Sequence, residues 1–269
     1  MTGSSPPVPP FADVEEVPLA AAPIVRVVAQ ARYGGNASRM TDAAAERFAQ
    51  AVASWLPFSD RAQGLEVVIG PGGVQQQPGQ SVQWTFTDGG DRRVTLTSSW
   101  VSYDVGPYES RTRFCADLEL IFGTLSGLIG AVPVARLGVR YINQIVAPAA
   151  LKALPSLVRP QLLGLLSAPE HADVLVHSFT ESLFGLGDAS LQVRHGLLPA
   201  GALVDPTVPA VPRPSWMLDL DAFSETAPAL GGPLASRARE LASLAYNYFR
   251  WAMTQQALAL FKETDDAAG

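Results

Sequence analysis

The chain has little cysteine, little lysine and no long apolar run. Each shortage argues against one feature: a disulfide, nucleic-acid binding or a membrane-spanning helix. Its one cysteine among 269 residues, Cys115, excludes an intrachain disulfide and gives no sign of an oxidising compartment. Lysine is almost absent, and the net charge is -6 at pH 7. General nucleic-acid-binding proteins usually carry a basic balance or a dense stripe of Lys and Arg, so nucleic acid is not an expected partner.

The apolar runs are too short to cross a bilayer. The run at 121–135 is shorter than a membrane-spanning helix and contains Pro133. The N-terminus lacks the basic region followed by an apolar stretch that a secretory signal would have. The sequence therefore predicts a cytoplasmic protein that does not contact a membrane.

The sequence signatures of catalysis and metal binding are also missing. The three histidines lie at 171, 177 and 195, no two of them are four residues apart, and neither H-E-x-x-H nor G-x-S-x-G occurs. Cys115 falls in a predicted helix, where buried packing is the expected role for a thiol. We therefore predict no catalytic residue, no metal and no cofactor, and these absences argue against an enzyme.

What the sequence does contain is a clean alternation at its centre. In 135–146, Leu137, Val139 and Tyr141 would face one way and Arg136 and Arg140 the other, which is the period of a half-buried strand. The other strands are predicted at 24–33, 65–69, 82–87, 93–100, 101–105, 174–186, 190–198 and 216–223.

Helices are predicted at 41–56, with Thr41 and Asp42 as capping residues, after Ser110, which can cap the second helix, at 148–166 and at 233–261. The buried stripe of the second helix is expected to be Phe114, Leu118, Ile121, Phe122 and Leu125. A turn at Gly187-Asp188 would place Glu181 opposite Arg194 in the hairpin.

This order predicts an α+β fold made of two similar β-α-β(3-4)-α units. Their sheets would merge into one curved antiparallel sheet with long helices on one face, as in TATA-binding-protein-like and helix-grip architectures. The first unit is expected at 21–130 and the second at 131–262. A disordered leader is expected at 1–20 and a frayed tail at 263–269.

Polar residues on two of these strands are the candidates for a ligand-binding or partner-binding site. Arg136 and Arg140 share one face of the central strand, and Asp219 and Asp221 share one face of the last strand. If the strands are neighbours, an Arg/Asp network crosses the sheet, and it is either structural or a functional polar patch. Asn143 interrupts an apolar face and, if buried, must bond to a neighbouring loop or to a ligand.

Five segments resemble a sporadically distributed family of uncharacterised bacterial and archaeal proteins of similar length. They are A-P-I-V-R-V-V-A-Q-A-R-Y, V-T-L-T-S-S-W-V-S-Y-D-V-G-P-Y, R-L-G-V-R-Y-I-N-Q-I, M-L-D-L-D-A-F and F-R-W-A-M-T-Q-Q-A-L-A-L-F. The L-G-V-R-Y-I-N string is the most specific, and the resemblance covers most of 18–262. It implies a standalone cytoplasmic protein with no established activity. The patchy distribution of the family is typical of defence, toxin–antitoxin or specialised biosynthetic roles.

The expected function is non-catalytic binding of a partner protein on the broad sheet surface. The alternative is a small-molecule-binding protein or an enzyme, with a cavity between the sheet and the C-terminal helix. In that case the five candidate residues would converge on an apolar pocket that holds a small apolar ligand. The sequence also leaves a homodimer open.

Overall fold

The computed structural model describes residues 11–33, 40–70, 73–106, 108–171, 174–203, 205 and 208–262, with the backbone alone at 64–70, 73–81 and 169. Its strands are β1 (Ile24–Tyr33), β2 (Phe58–Gly70), β3 (Gly73–Thr87), β4 (Arg92–Leu96), β5 (Trp100–Val105), β6 (Val134–Ile145), β7 (Ser178–Leu186), β8 (Ala189–Leu198) and β9 (Ser215–Ser224). They form a nine-stranded antiparallel sheet in the order β2-β3-β4-β5-β1-β6-β9-β8-β7. The mixed α+β class predicted from the sequence is confirmed.

Six α-helices occur among the described residues. They are α1 (Asp42–Val52), α2 (Arg111–Ile129), α3 (Pro148–Lys152), α4 (Leu154–Leu157), α5 (Gly232–Ala252) and α6 (Gln255–Leu260). The Thr41 hydroxyl caps α1 and the Ser110 hydroxyl caps α2, as the sequence predicts. The helix predicted at 233–261 is instead two helices, because Thr254 caps a new one through the backbone N–H of Ala257. None of the described helices is long and apolar enough to cross a membrane.

The chain divides into two compact units, and each draws on both halves of the sequence. Unit 1 comprises Met1–Val27, Val139–Phe223 and Glu240–Gly269, and unit 2 comprises Val28–Gly138 and Ser224–Arg239. The sequence predicts contiguous units at 21–130 and 131–262, whereas here β6 and α5 each contribute to both units. Residues 1–10 of the predicted leader and the predicted tail at 263–269 lie outside the described residues.

Aromatic side chains hold the two long helices of unit 2 to its strands. The Phe48 ring of α1 meets Phe86 edge-on, with 5.0 Å between the ring centroids. The Phe114 ring of α2 stacks on Tyr103 at 5.3 Å, and the Tyr103 hydroxyl donates to Asp117 at 2.7 Å. The stripe predicted for α2 is buried, which confirms its inward face.

The hairpin of unit 1 has the predicted register. Glu181 of β7 lies opposite Arg194 of β8, and the turn between the strands contains Gly187 at φ 71°. A left-handed backbone at this turn explains why glycine occupies it. The strand β9 continues the pairing on the other side of β8, where Asp219 lies opposite Arg194.

The central strand β6 is more buried than its alternation predicts. Every residue from 137 to 145 is buried, although the sequence predicts one solvated face. On the second face, Ile142 packs in a cluster with Leu198, Met217 and Val208. Val208 belongs to the connection between β8 and β9, so a segment distant in sequence covers the face expected to be open.

Candidate functional site

The predicted Arg/Asp network forms between neighbouring strands in unit 1. Because β6 lies beside β9, Arg140 reaches Asp219 with two parallel bonds. The distances are 2.8 Å from Nε to Oδ1 and 2.9 Å from Nη2 to Oδ2. Both residues are buried, so the pair has the two-pronged geometry of the strongest guanidinium–carboxylate contacts.

Two further residues extend this network. Asp205, in the connection between β8 and β9, accepts from Nη1 of Arg140 at 2.6 Å. Arg194 of β8 contacts Oδ2 of Asp219 at 2.6 Å. The network therefore ties three strands and a connecting segment together, and Asp205 is a member that no pattern in the sequence identifies.

The charges in this network compensate one another. Burial by itself lowers the pKa of Arg140, but the charge and hydrogen bonds of Asp219, followed by the charges of Asp205 and Asp221, outweigh it and raise that pKa. Arg140 and Asp219 direct their charged groups at each other and at their neighbours. The sequence leaves open whether the Arg/Asp network is structural or a functional polar patch, and this geometry favours a structural network.

Of the other three predicted residues, Asp221 of β9 is buried, lies opposite Gln192 of β8 and acts on Arg140 through its charge. The remaining two lie apart from this ion pair. Asn143 is buried, and its Nδ2 donates to the backbone carbonyl of Leu218 in β9 at 3.0 Å, while its Oδ1 has no hydrogen-bond partner among the described residues. Its amide therefore joins two strands and does not secure a loop. Arg136 is half-buried and lies in the part of β6 that belongs to unit 2.

An exposed apolar surface on β7 is the feature that sequence reasoning missed. Phe179, Glu181 and Leu183 share one face of the strand because side chains alternate along it. Phe179 is 43% exposed and Leu183 is 62% exposed, and Glu181 between them is exposed too. Just before the strand, Val174 and Val176 are also exposed. We call these five residues the β7 patch.

The β7 patch lies at the end of the sheet. In the described strand order β7 is terminal, so one of its backbone edges pairs with β8 and the other with no described strand. Long, apolar edge strands are templates for pairing with another chain. Glu181 lies opposite Arg194, but Nη2 of Arg194 is held by Asp219 at 2.6 Å, which leaves the patch with an acidic centre.

A separate cleft of about 440 Å³ lies in unit 2, beside α1 and the strands β2 and β3. The Asp42 carboxylate accepts from Nε1 of Trp84 at 2.9 Å and from Nε of Arg61 at 2.8 Å at this cleft. None of the five predicted site residues lines it. Over the ranges that the structure describes, no group of three or more His, Cys, Asp or Glu side chains could hold a metal ion.

His195 gives unit 1 a pH dependence. The ring is buried, and in the part of the chain that the structure describes its Nδ1 has no hydrogen-bond partner. Burial lowers the pKa of His195 below its ordinary value of 6.5, despite a backbone hydrogen bond at Leu162. Because the unfolded chain binds the proton more readily, stability is fully present above about pH 6.5 and falls as pH drops toward the folded pKa. The slope of this loss is at most about 1.4 kcal/mol per pH unit for one proton.

We therefore expect the His195→Gln variant to lose stability less steeply than the wild type between pH 7.5 and pH 5. Chemical denaturation at several pH values measures this slope. The exposed His177, two residues before Phe179, provides the control, and His177→Gln should keep the wild-type slope. Equal slopes in all three proteins would show that His195 does not titrate in this way.

Comparison of the chain with family models and with curated proteins finds no match to either.

Proposed function

We propose that this protein is a non-catalytic interaction protein that binds a partner protein through the β7 patch. The observation that carries the proposal is a terminal strand whose exposed face is apolar, acidic and apolar at alternate positions. An extended segment of the partner would add a strand to the free edge of β7. Full burial of such a side chain contributes about 1.5 to 3 kcal/mol, and burying the parts of Phe179 and Leu183 that are still exposed would contribute a fraction of that.

The acidic centre of the β7 patch defines the partner further. Glu181 is exposed, and the arginine opposite it is held by Asp219, so a cation from the partner could compensate its charge. The matching segment would carry Lys or Arg with apolar residues two positions away on each side. Such a segment would be complementary to the β7 patch in both shape and charge.

We place this function in the cytoplasm of a bacterium or archaeon, in a defence, toxin–antitoxin or biosynthetic accessory role. The resemblance of the L-G-V-R-Y-I-N segment to the sporadically distributed family supports this proposal. That segment contributes Arg140 and Asn143, which fix β6 against β9. In this proposal the family's most specific string maintains the sheet that presents β7.

We further propose that the chain arose by duplication of one β-α-β(3-4)-α unit whose sheet grips its last helix. The strand order supports this. From the centre outward, β1 and β6 are neighbours, β5 and β9 flank them, and β4 and β8 follow, then β3 and β7. Each half thus places its first strand beside its last, and β2 is an addition to the first half.

Replacing Leu183 with arginine should weaken partner capture at least tenfold, because the variant places a cation beside the expected basic residue and removes an apolar contact. Tagged full-length protein would be purified from its native host, and partner recovery quantified by mass spectrometry. Leu120→Arg is the matched control, since Leu120 is an exposed leucine of α2, in unit 2. It should leave capture unchanged.

Two other results would redirect the proposal. Recovery of untagged copies of this same chain, lost in Leu183→Arg, would show that β7 pairs in a homodimer. Equal capture by both variants would exclude the β7 patch as the binding surface. Recovery of no partner by the wild-type protein would favour the alternative function, a small-molecule-binding protein or enzyme with a cavity between the sheet and the C-terminal helix.

A further inference from the structure

Residues 11–17, which the sequence assigns to a disordered leader, lie against α5 and β7 in unit 1. The Phe11 ring meets the Phe184 ring of β7 edge-on at 5.3 Å and lies 6.0 Å from the Tyr248 ring of α5, measured between centroids. Phe184 faces the opposite side of β7 from Leu183, because neighbouring residues of a strand alternate. This contact is therefore separate from the β7 patch.

Two side chains of α5 bond to the backbone and the carboxylate of this segment. The Asn247 amide donates from Nδ2 to Asp13 at 2.9 Å, and its Oδ1 accepts from the N–H of Val14 at 3.4 Å. The Tyr246 hydroxyl accepts from the N–H of Val17 at 2.7 Å. We call the surface formed by Phe184, Tyr246, Asn247 and Tyr248 the α5 groove.

Asn247 is buried with residues 11–17 in place, and this segment bonds its amide. Asn247 is only 4% exposed, and a buried amide is costly unless its donors and acceptor are bonded. Asparagine is also a weak helix former, so the middle of α5 is not where helix propensity would place it. Its described partners are Asp13 and Val14, both in the bound segment.

A basic residue lies next to this groove, and the segment in the groove is acidic. Nη1 of Arg250 donates to the Tyr246 hydroxyl at 3.3 Å, and its guanidinium lies 6.0 Å from the centre of the Tyr246 ring. The bound stretch reads F-A-D-V-E-E-V, with carboxylates at 13, 15 and 16. An aromatic anchor, an acid two positions later and a nearby cation together define a recognisable sequence pattern.

Taking the proposed partner-binding function as given, we propose that the α5 groove recognises an extended segment of the partner protein. That segment carries an aromatic residue followed two positions later by a carboxylate. Residues 11–17 occupy the groove in cis and act as a built-in competitor. A tethered segment has an effective concentration of the order of millimolar, so the partner's segment must outcompete it.

The segment is held weakly enough to be displaced. Asp13 and Glu15 are exposed and Phe11 is only half-buried, so little of its surface is removed from water. A single added hydrogen bond changes an equilibrium by roughly fivefold. A few such bonds and the two ring contacts of Phe11 therefore give an occupancy that a competing peptide can reverse.

The test uses a fluorescent synthetic peptide of residues 8–19, V-P-P-F-A-D-V-E-E-V-P-L, as the probe. It would be titrated into full-length wild-type protein and into the full-length Phe11→Ala/Asp13→Ala variant, whose own segment competes less. Fluorescence anisotropy should show binding at least tenfold tighter in the double variant. Adding Tyr246→Phe, which alters the acceptor of the Val17 N–H, should weaken that binding about threefold to tenfold.

The control is the same peptide with both Phe11 and Asp13 replaced by alanine, which should not bind. No binding of the unaltered peptide to a folded double variant would overturn the proposal, as would equal binding of both peptides. Leu183→Arg should leave peptide binding unchanged, because it alters only the outer face of β7. A loss of partner capture and a loss of peptide binding are therefore distinguishable.

Discussion

Replacing Arg140 with methionine is expected to lower the free energy of unfolding by about 3 to 5 kcal/mol. The substitution keeps an unbranched side chain but removes the cation that Asp219 and Asp205 share. Asp219 keeps its contact with Arg194, but both buried carboxylates lose the cation that they share and cannot recover hydration. Removing one partner of a buried ion pair therefore costs far more than the pair contributes. Urea denaturation of the variant and the wild type measures the difference.

The exposed pair of Arg61 and Asp42 is the matched control. Its Nε–Oδ1 distance is 2.8 Å, the same as the distance between Arg140 and Asp219. However, the Arg61 and Asp42 side chains are 51% and 57% exposed, so water screens and replaces the interaction. Arg61→Met should leave stability nearly unchanged, and equal losses in the two variants would show that burial does not set the cost.

Replacing Gly196 with alanine should destabilise the protein by about 3 kcal/mol or more, combining backbone strain with overpacking. Gly196 has a φ of 153° in β8, a conformation that residues with a side chain rarely adopt. An added Cβ would also lie 1.9 Å from the backbone carbonyl oxygen of Ser178 in β7. Because that neighbour is main chain, no rotamer change relieves the clash, and the start of the β7–β8 pairing must move.

Gly185 provides the control within the same hairpin. A Cβ there would meet nothing within 4 Å, so Gly185→Ala should be close to neutral in thermal and chemical denaturation. Hydrogen exchange would locate the damage in Gly196→Ala, with faster exchange expected in the amides that join β7 to β8. Uniform loss of protection in both variants would contradict a local origin.

These two substitutions also separate stability from binding. Substitutions at Arg140 and Gly196 are expected to change the stability of the sheet. Substitutions at Leu183 and Tyr246 are expected to change binding at the β7 patch and at the α5 groove. In the proposal the partner's strand pairs with the free edge of β7 and contacts Phe179 and Leu183, whereas residues 11–17 lie against Phe184 on the opposite face. A partner that engages both would release the cis segment when it binds.

Local patterns were sufficient to predict most elements. The alternation in 24–33, the capping residues Thr41 and Ser110, and the turn at Gly187 each depend on neighbours within a few positions. The Glu181–Arg194 register follows from the turn alone, because a tight hairpin fixes which residues face each other. The pairing of Arg140 with Asp219 was predictable to the extent that their strands could be guessed to be neighbours.

The sequence by itself determined the α+β class, the positions of most strands, the starts of α1 and α2 and two members of the charged network, since these follow from periodicity and short-range capping. It missed that β2 begins at Phe58 and that the helix predicted at 148–166 is the two short helices α3 and α4. Only the tertiary structure decided that Asp205 completes the network, that a connecting segment buries the second face of β6, and that residues 11–17 satisfy Asn247. Each of these contacts joins residues far apart in the chain. Such contacts are selected by which surfaces remain unsatisfied after the elements pack, and no local pattern carries that information.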